Sequence, residues 1–129
     1  MFQSDLLKSK SIFLTGGGTG LGRSMALHFA SLGARLFLIG RRPEPLKSVC
    51  EEIQHASGTA AFASCDVRDY AAVEAAARTA ESQIGKINTL VNNAAGNFMA
   101  RTEKLTPNAF NAVVGIVLNG SFNCTQVFG

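Results

Sequence analysis

The most restrictive feature of the sequence is a run of glycine between two apolar segments. Thr15 is followed by Gly16-Gly17-Gly18-Thr19-Gly20-Leu21-Gly22, in which five of seven residues are glycine. The run comes straight after Ser11-Ile12-Phe13-Leu14 and before a helix-like segment, Ser24 to Ser31. Such a run makes a poor strand and a poor helix, because glycine loses the most backbone freedom on ordering. It suits a tight turn whose N–H groups come close to a ligand. A strand feeding a glycine turn that opens a helix is an anion site: the first helical N–H groups lack partners within the helix, and the dipole puts its positive end there. A flexible glycine linker would lack that flanking strand and helix. Gly16, Gly20 and Gly22 read G-x-x-x-G-x-G, not the G-x-G-x-x-G of the commonest dinucleotide turn.

Around this turn the chain alternates between two kinds of segment. Ser11 to Thr15, Ala34 to Gly40, Thr59 to Cys65 and Ile87 to Asn92 are short apolar runs that read as strands. Their near-continuous apolar character fits strands covered on both faces. Between them lie helix-like stretches. Leu21, Met25, Leu27, Phe29 and Leu32 mark the first, with Gly33 as its C′ residue. Pro43 and Pro45 open the second, where Leu46, Val49, Cys50 and Ile53 recur at helical spacing before Ser57-Gly58. Asp69 is placed to cap the third, Tyr70 to Ile84, which Gly85 stops. Asn93 to Lys104 is a polar connection, and Thr106-Pro107 opens a last helix that runs to the end of the chain. The β-α-β-α-β-α-β-α pattern, with no repeat or linker, predicts an α/β Rossmann-type doubly wound parallel sheet with strand order 3-2-1-4. The fourth strand would then be an apolar edge. Residues 1–129 therefore read as the N-terminal part of a single domain whose remaining strands lie outside the chain.

Composition narrows the function classes. With 47% hydrophobic and 16% charged residues the chain is globular in type. The net charge of +3 is too mild and too scattered to point to nucleic acid, but suits a small anionic ligand. No apolar run approaches the ~18 residues of a membrane span, and the first strand starts too early for a signal or transit peptide. Cys50, Cys65 and Cys124 are widely spaced and odd in number. They match neither a metal motif nor a disulfide framework and read as reduced thiols in a cytoplasmic setting.

Each polar stretch falls at the carboxyl end of a strand, where open parallel sheets bind ligands. Gly16 to Gly22 follows strand 1, Gly40-Arg41-Arg42 strand 2, Asp66-Val67-Arg68 strand 3 and Asn92-Asn93-Ala94-Ala95-Gly96 strand 4. Together they predict a dinucleotide crevice. An NAD site puts an acid at the end of strand 2 for the ribose 2′-hydroxyl. Here two arginines stand there, and a guanidinium binds a 2′-phosphate with two hydrogen bonds. The expected cofactor is therefore NADP(H), with Arg41 as main contact and Arg42 as support; a solvated basic turn is the alternative. Asp66 is placed to accept from the adenine amino group, or simply to cap the next helix.

With these residues placed, the chain resembles the short-chain dehydrogenase/reductase family. Thr15-Gly16-x-x-x-Gly20-x-Gly22 matches its cofactor turn, Asp66 its adenine-contacting acid and Asn92-Asn93-Ala94-Ala95-Gly96 its N-N-A-G segment. Within the family, Gly16 to Gly22, Cys65 to Asp69, Asn92 to Phe98, Thr102 to Ala109 and Ile116 to Gly120 are similar to the 2,4-dienoyl-CoA reductase branch. The resemblance implies NADPH-dependent reduction of an unsaturated fatty acyl-CoA in β-oxidation. It implies cofactor contacts from Gly16, Gly17, Gly18, Thr19, Gly20, Leu21, Arg41, Arg42, Asp66, Asn93, Ala94 and Gly96. Most members carry a catalytic Asn three residues before the Gly-x-Phe of the last helix, where this chain has Val117. The dienoyl-CoA branch also lacks it and uses an Asn after N-N-A-A-G, the place of Asn97. Asn97 would donate to the thioester carbonyl, on which charge develops as hydride arrives; a plain turn residue is the other reading. Phe98, Arg41, Arg68 and Thr106 match substrate contacts, although Thr106 serves equally as a helix cap.

The resemblance also implies a homotetramer and, through a C-terminal address beyond this chain, a peroxisomal alternative to the cytoplasm. Two other functions stay open: reduction of a 3-oxoacyl thioester or another carbonyl, and a non-catalytic nucleotide-binding fragment. The family's Tyr-x-x-x-Lys pair and Ser follow the last helix seen here, and Tyr70 is the only tyrosine. The expectation is that these 129 residues alone show no reductase activity.

Overall fold

The apolar runs become the strands of one parallel sheet. A computed structural model of the chain describes residues 6–94, 107 and 120–128. In order they form β1 (Ser11–Thr15), α1 (Gly20–Ser31), β2 (Arg35–Gly40), α2 (Pro43–His55), β3 (Thr59–Ser64), α3 (Tyr70–Ile84), β4 (Thr89–Val91) and α4 (Gly120–Phe128). The four strands lie in the order β3-β2-β1-β4, all parallel. The fold is the expected α/β Rossmann-like sheet. Register runs from Ser11 opposite Arg35 to Thr15 opposite Ile39, and from Arg35 opposite Thr59 to Gly40 opposite Ser64. Leu14 stands opposite Val91. The carboxyl ends of all four strands therefore share one rim.

Strand periodicity sends alternate side chains to opposite faces, so one sheet feeds two cores. Ile12, Leu14, Leu36 and Leu38 pack on one face against Ala26 of α1 and against Leu46, Val49 and Ile53 of α2. Phe13, Phe37 and Ile39 pack on the other against Val73, Ala76, Ala80 and Ile84 of α3, with Cys124 of α4 joining them. The Phe13 and Phe37 rings stack at 5.7 Å. Each fully buried Leu, Ile or Phe contributes about 1.5–3 kcal/mol through apolar area removed from water. Arg23 and Glu52 join α1 to α2 with two 2.8 Å hydrogen bonds. That pair is exposed, so it adds at most about 1 kcal/mol.

Two element boundaries differ from expectation by more than one residue, β2 and β3 are each one residue shorter than expected, and one side chain is exposed where burial is expected. Helix α1 begins at Gly20 instead of Ser24, so Gly20 and Gly22 belong to its first turn. Their low helix propensity is overridden by a close approach: a Cβ on Gly22 would collide with the Gly16 carbonyl oxygen. Strand β4 spans Thr89–Val91 instead of Ile87 to Asn92, and side chains bond to the backbone at both of its ends. At its start the Asn88 carboxamide accepts from Ser11 N (3.0 Å) and donates to the Ser9 carbonyl (2.8 Å). At its end the Asn93 and Ala94 N–H groups donate to the Thr15 hydroxyl. Leu21, expected in the apolar face of α1, is 69% exposed. Of the last expected helix, the described residues comprise Pro107, which is helical, and α4. Helix α3 has the predicted bounds, with Asp69 Oδ1 accepting from Ala72 N at 3.2 Å.

Candidate functional site

The strand-end rim carries two adjoining cavities. The larger, about 180 Å³, is bordered by Gly16 after β1, Gly40 and Arg41 at β2, Asp66 and Val67 after β3 and Ala94 after β4. A second, of about 120 Å³, lies between the glycine turn and the start of α2, with Gly18, Thr19 and Arg42 in its wall. Each of the four predicted polar stretches thus supplies at least one residue to the larger cavity.

The glycine turn is held from three sides. Gly16 adopts φ +67°, and its N–H donates to the Ile39 carbonyl at 2.8 Å. Its own carbonyl accepts from the Asn93 carboxamide at 3.1 Å. Gly17 and Gly18 sit close to Leu38 and Pro45, where an added Cβ would come within 2.9 Å of each. Gly20 has φ +55° with open space around it. Thr19 is the N-cap of α1 in extended conformation, and its side chain makes no capping bond. No acid occupies the first turn of α1. The positive end of the helix thus has no carboxylate of its own first turn beside it.

Two arginines mark the end of β2. Arg41 and Arg42 border both cavities, and both are exposed. The Arg41 carbonyl accepts from Ser64 Oγ at 3.0 Å, which ties this corner to β3. Asp66 lies across the larger cavity. Its carboxylate receives Arg68 Nε (3.0 Å) and Nη2 (2.6 Å), together with the Arg68 backbone N–H (3.0 Å). These hydrogen bonds hold its pKa at about 2, with the nearby Arg41 charge adding to the effect. The carboxylate is therefore an anion at neutral pH. Arg68, predicted as a substrate contact, is engaged with Asp66. Burial and the neighbouring Asp66 and Asp69 push the Cys65 thiol up to about 11, which holds it as the neutral thiol.

Asn93, predicted as a cofactor contact, uses its side chain to hold Gly16, whereas Ala94 borders the cavity directly. Gly96, Asn97, Phe98 and Thr106 lie outside the described residues, as does Val117. Two contributors escaped the sequence reading. The Thr15 hydroxyl, 1% exposed, accepts from Asn93 N and Ala94 N at 2.8 Å each. Thr15 opens the cofactor-turn match in the sequence, but that match assigns no role to its hydroxyl. Asn123 of α4 donates from Nδ2 to the Val67 and Arg68 carbonyls at 3.0 and 3.1 Å. Nothing local to Asn123 marks that contact.

A family model described as short chain dehydrogenase matches residues 10–128. The chain belongs to the short chain dehydrogenase family. Among its curated relatives, a probable 2,4-dienoyl-CoA reductase of Bacillus subtilis is 42% identical over 120 residues, which are 93% of this chain and 47% of that protein. A peroxisomal 2,4-dienoyl-CoA reductase of mouse is 38% identical over 128 residues, covering 98% of this chain and 44% of the relative. This short chain dehydrogenase sequence thus spans about half or less of the length of those relatives. Solved structures agree. A citronellol catabolism dehydrogenase of Pseudomonas aeruginosa superimposes with a TM-score of 0.90 at 31% identity, over 99% of this chain and 52% of that one. A 3-ketoacyl-(acyl-carrier-protein) reductase of Brucella melitensis, complexed with NADH, gives 0.85 at 32% identity over 93% and 48%. No helix among the described residues of this short chain dehydrogenase is long and apolar enough to cross a membrane.

Proposed function

We propose that the chain is the nucleotide-binding part of an NADPH-dependent reductase of unsaturated fatty acyl-CoA thioesters, of the 2,4-dienoyl-CoA type. One observation carries the cofactor reading: Arg41 and Arg42 border both strand-end cavities, and Gly40-Arg41-Arg42 contains no carboxylate. A carboxylate there would repel a 2′-phosphate, whereas a guanidinium binds it in a fork. The uncapped start of α1 and the close Gly16–Gly22 approach fit a pyrophosphate. Asp66, held as an anion, fits an adenine amino group. When bound, a reduced nicotinamide supplies hydride.

The names of the curated relatives support the acyl-CoA substrate. In this reading Gly16 to Leu21, Arg41, Arg42, Asp66, Asn93, Ala94 and Gly96 hold the cofactor. Asn97 donates to the thioester carbonyl, and Phe98 and Thr106 meet the substrate. Arg68 would have to leave Asp66 to reach a CoA phosphate. The 129 residues contain no Tyr-x-x-x-Lys pair, so the reduction is assigned to a protein that also carries one. A homotetramer, in the cytoplasm or a peroxisome, belongs to the same reading.

The cofactor claim is tested by NADPH and NADH titration of the wild type and Arg41→Ala. Loss of the guanidinium should weaken NADPH about tenfold or more and leave NADH nearly unchanged. Equal NADPH affinity in the two proteins rejects it. Likeness to the Brucella 3-ketoacyl reductase favours a second reading, a 3-oxoacyl thioester substrate. Comparing turnover of a dienoyl-CoA with that of a 3-oxoacyl-CoA, in a protein carrying the Tyr-x-x-x-Lys pair, separates the two.

A further inference from the structure

Residues 65–67 form one wall of the larger cavity, and the two peptide units that follow Val67 share one hydrogen-bonding pattern. The peptide unit joining Val67 to Arg68 accepts from Asn123 Nδ2 through its carbonyl (3.0 Å) and donates to Asp66 Oδ1 through its N–H (3.0 Å). The next unit, joining Arg68 to Asp69, does the same: its carbonyl accepts from Asn123 Nδ2 (3.1 Å), and its N–H donates to the Asp66 backbone carbonyl (3.0 Å). Peptide units are planar and rigid. Fixing a carbonyl on one side fixes the N–H on the other. Two consecutive planes are thus clamped between Asn123 and Asp66.

We infer that Asn123 is a positioning residue that sets the Asp66 carboxylate for the adenine-bearing half of the nucleotide, and so acts on the site without bordering it. The inference rests on the nucleotide reading above. The carboxamide suits the task because its single nitrogen carries two hydrogens, one for each carbonyl. Helix α4 is held against the rim by a second bond, from Asn92 Nδ2 to Thr125 Oγ1 (3.3 Å), and Cys124 between the two contacts is fully buried. The donor is therefore anchored, and its direction is transmitted through the two planes to Asp66 rather than absorbed by movement of the helix. Without the two bonds, only the local turn holds these carbonyls among the described residues, and the Arg68 guanidinium that grips the carboxylate at 3.0 and 2.6 Å moves with that turn.

The test is a double-mutant cycle read by ligand affinity. Adenosine 2′,5′-bisphosphate carries the adenine, and inorganic pyrophosphate lacks it. Asn123→Leu should weaken the first about tenfold and leave the second unchanged. In an Asp66→Ala background the same substitution should have almost no further effect, because the residue acts through that carboxylate. A purely structural role would weaken both ligands and would add to Asp66→Ala. If Asn123→Leu does not fold, Asn123→Asp, which has the same shape, takes its place. Wild type that binds adenosine 2′,5′-bisphosphate no better than pyrophosphate overturns the nucleotide reading and this inference with it. A wild type that does show that preference, beside an Asn123 variant that binds both ligands as well as the wild type does, overturns this inference alone.

Discussion

Gly22→Ala separates two reasons for a glycine in the turn. Gly22 lies in the first turn of α1, where alanine is the better helix former by about 0.5–1 kcal/mol. Against that gain stands a collision. An added Cβ meets the Gly16 carbonyl oxygen and comes within 2.8 Å of its carbon and 2.6 Å of Asn93 Nδ2, where carbon contacts normally settle at about 3.5–4.0 Å. The Asn93 amide can swing away, at the cost of its bond to Gly16 and about 1 kcal/mol. The Gly16 carbonyl is backbone, and Gly16 N is pinned to Ile39, so the helix itself must shift. Overpacking of this kind costs about 1–3 kcal/mol, and the net loss is about 1–3 kcal/mol. For a chain of this size that lowers Tm by roughly 5–15 °C. Gly20 offers the control. It has φ +55° and nothing within 4 Å of an added Cβ, so its penalty is purely conformational. Thermal melts of Ala and Asn variants at both positions decide the matter. Asn tolerates the left-handed region, so Gly20→Asn should recover much of what Gly20→Ala loses. Gly22→Asn should be no better than Gly22→Ala. Equal recovery at both positions would refute the steric account, as would a Gly22→Ala protein that melts with the wild type.

Thr15→Val keeps shape but strips the Asn93 and Ala94 N–H groups of their acceptor; urea unfolding should show a loss of about 2–4 kcal/mol, and Thr15→Ser should restore most of it. Asp66 has its pKa lowered from 3.8 to about 2 on folding, so its contribution is present above pH 3.8 and is lost as pH falls towards 2. Asp66→Asn should therefore flatten the acid limb of a stability profile in that window. Because the pair is about one-third exposed, the gain at neutral pH is below about 1 kcal/mol, and an unchanged acid limb would count against it. Ser57 occupies φ +68° just after α2 and is followed by the Gly58 N–H bond to the Ile53 carbonyl. Ser57→Gly should relieve that strain and raise stability by up to about 1 kcal/mol; a lower Tm would contradict it.

Topology was readable because apolar runs alternating with helical periodicity leave few right-handed arrangements. Helix α3 was bounded correctly, since Asp69 and Gly85 are strong local signals and the alanines between them compete with nothing. The start of α1 was not readable. Propensity argues against glycine in a helix, and the reason for Gly22 is a carbonyl six residues away in the chain. The contacts that position the rim are longer still in sequence. Thr15 meets Asn93 across 78 residues, and Asn123 meets Val67 across 56. Such contacts require the sheet to exist first. The sequence points Asp66 and Arg68 to different ligands, and only the folded turn brings the guanidinium onto the carboxylate. The expectations for Asn97, Phe98 and Thr106 fall outside the described residues.

Strand β4 has only three ladder residues, too few to set its alignment by main-chain bonds alone. Asn88 at one end and the Thr15 hydroxyl at the other act as stops. Sliding β4 by one residue would strip both at once and turn its side chains to the wrong faces. A one-residue slip of β4 therefore loses hydrogen bonds at both of its ends together. Ala94, which borders the larger cavity, and Asn93, which holds Gly16, are placed by the same stop.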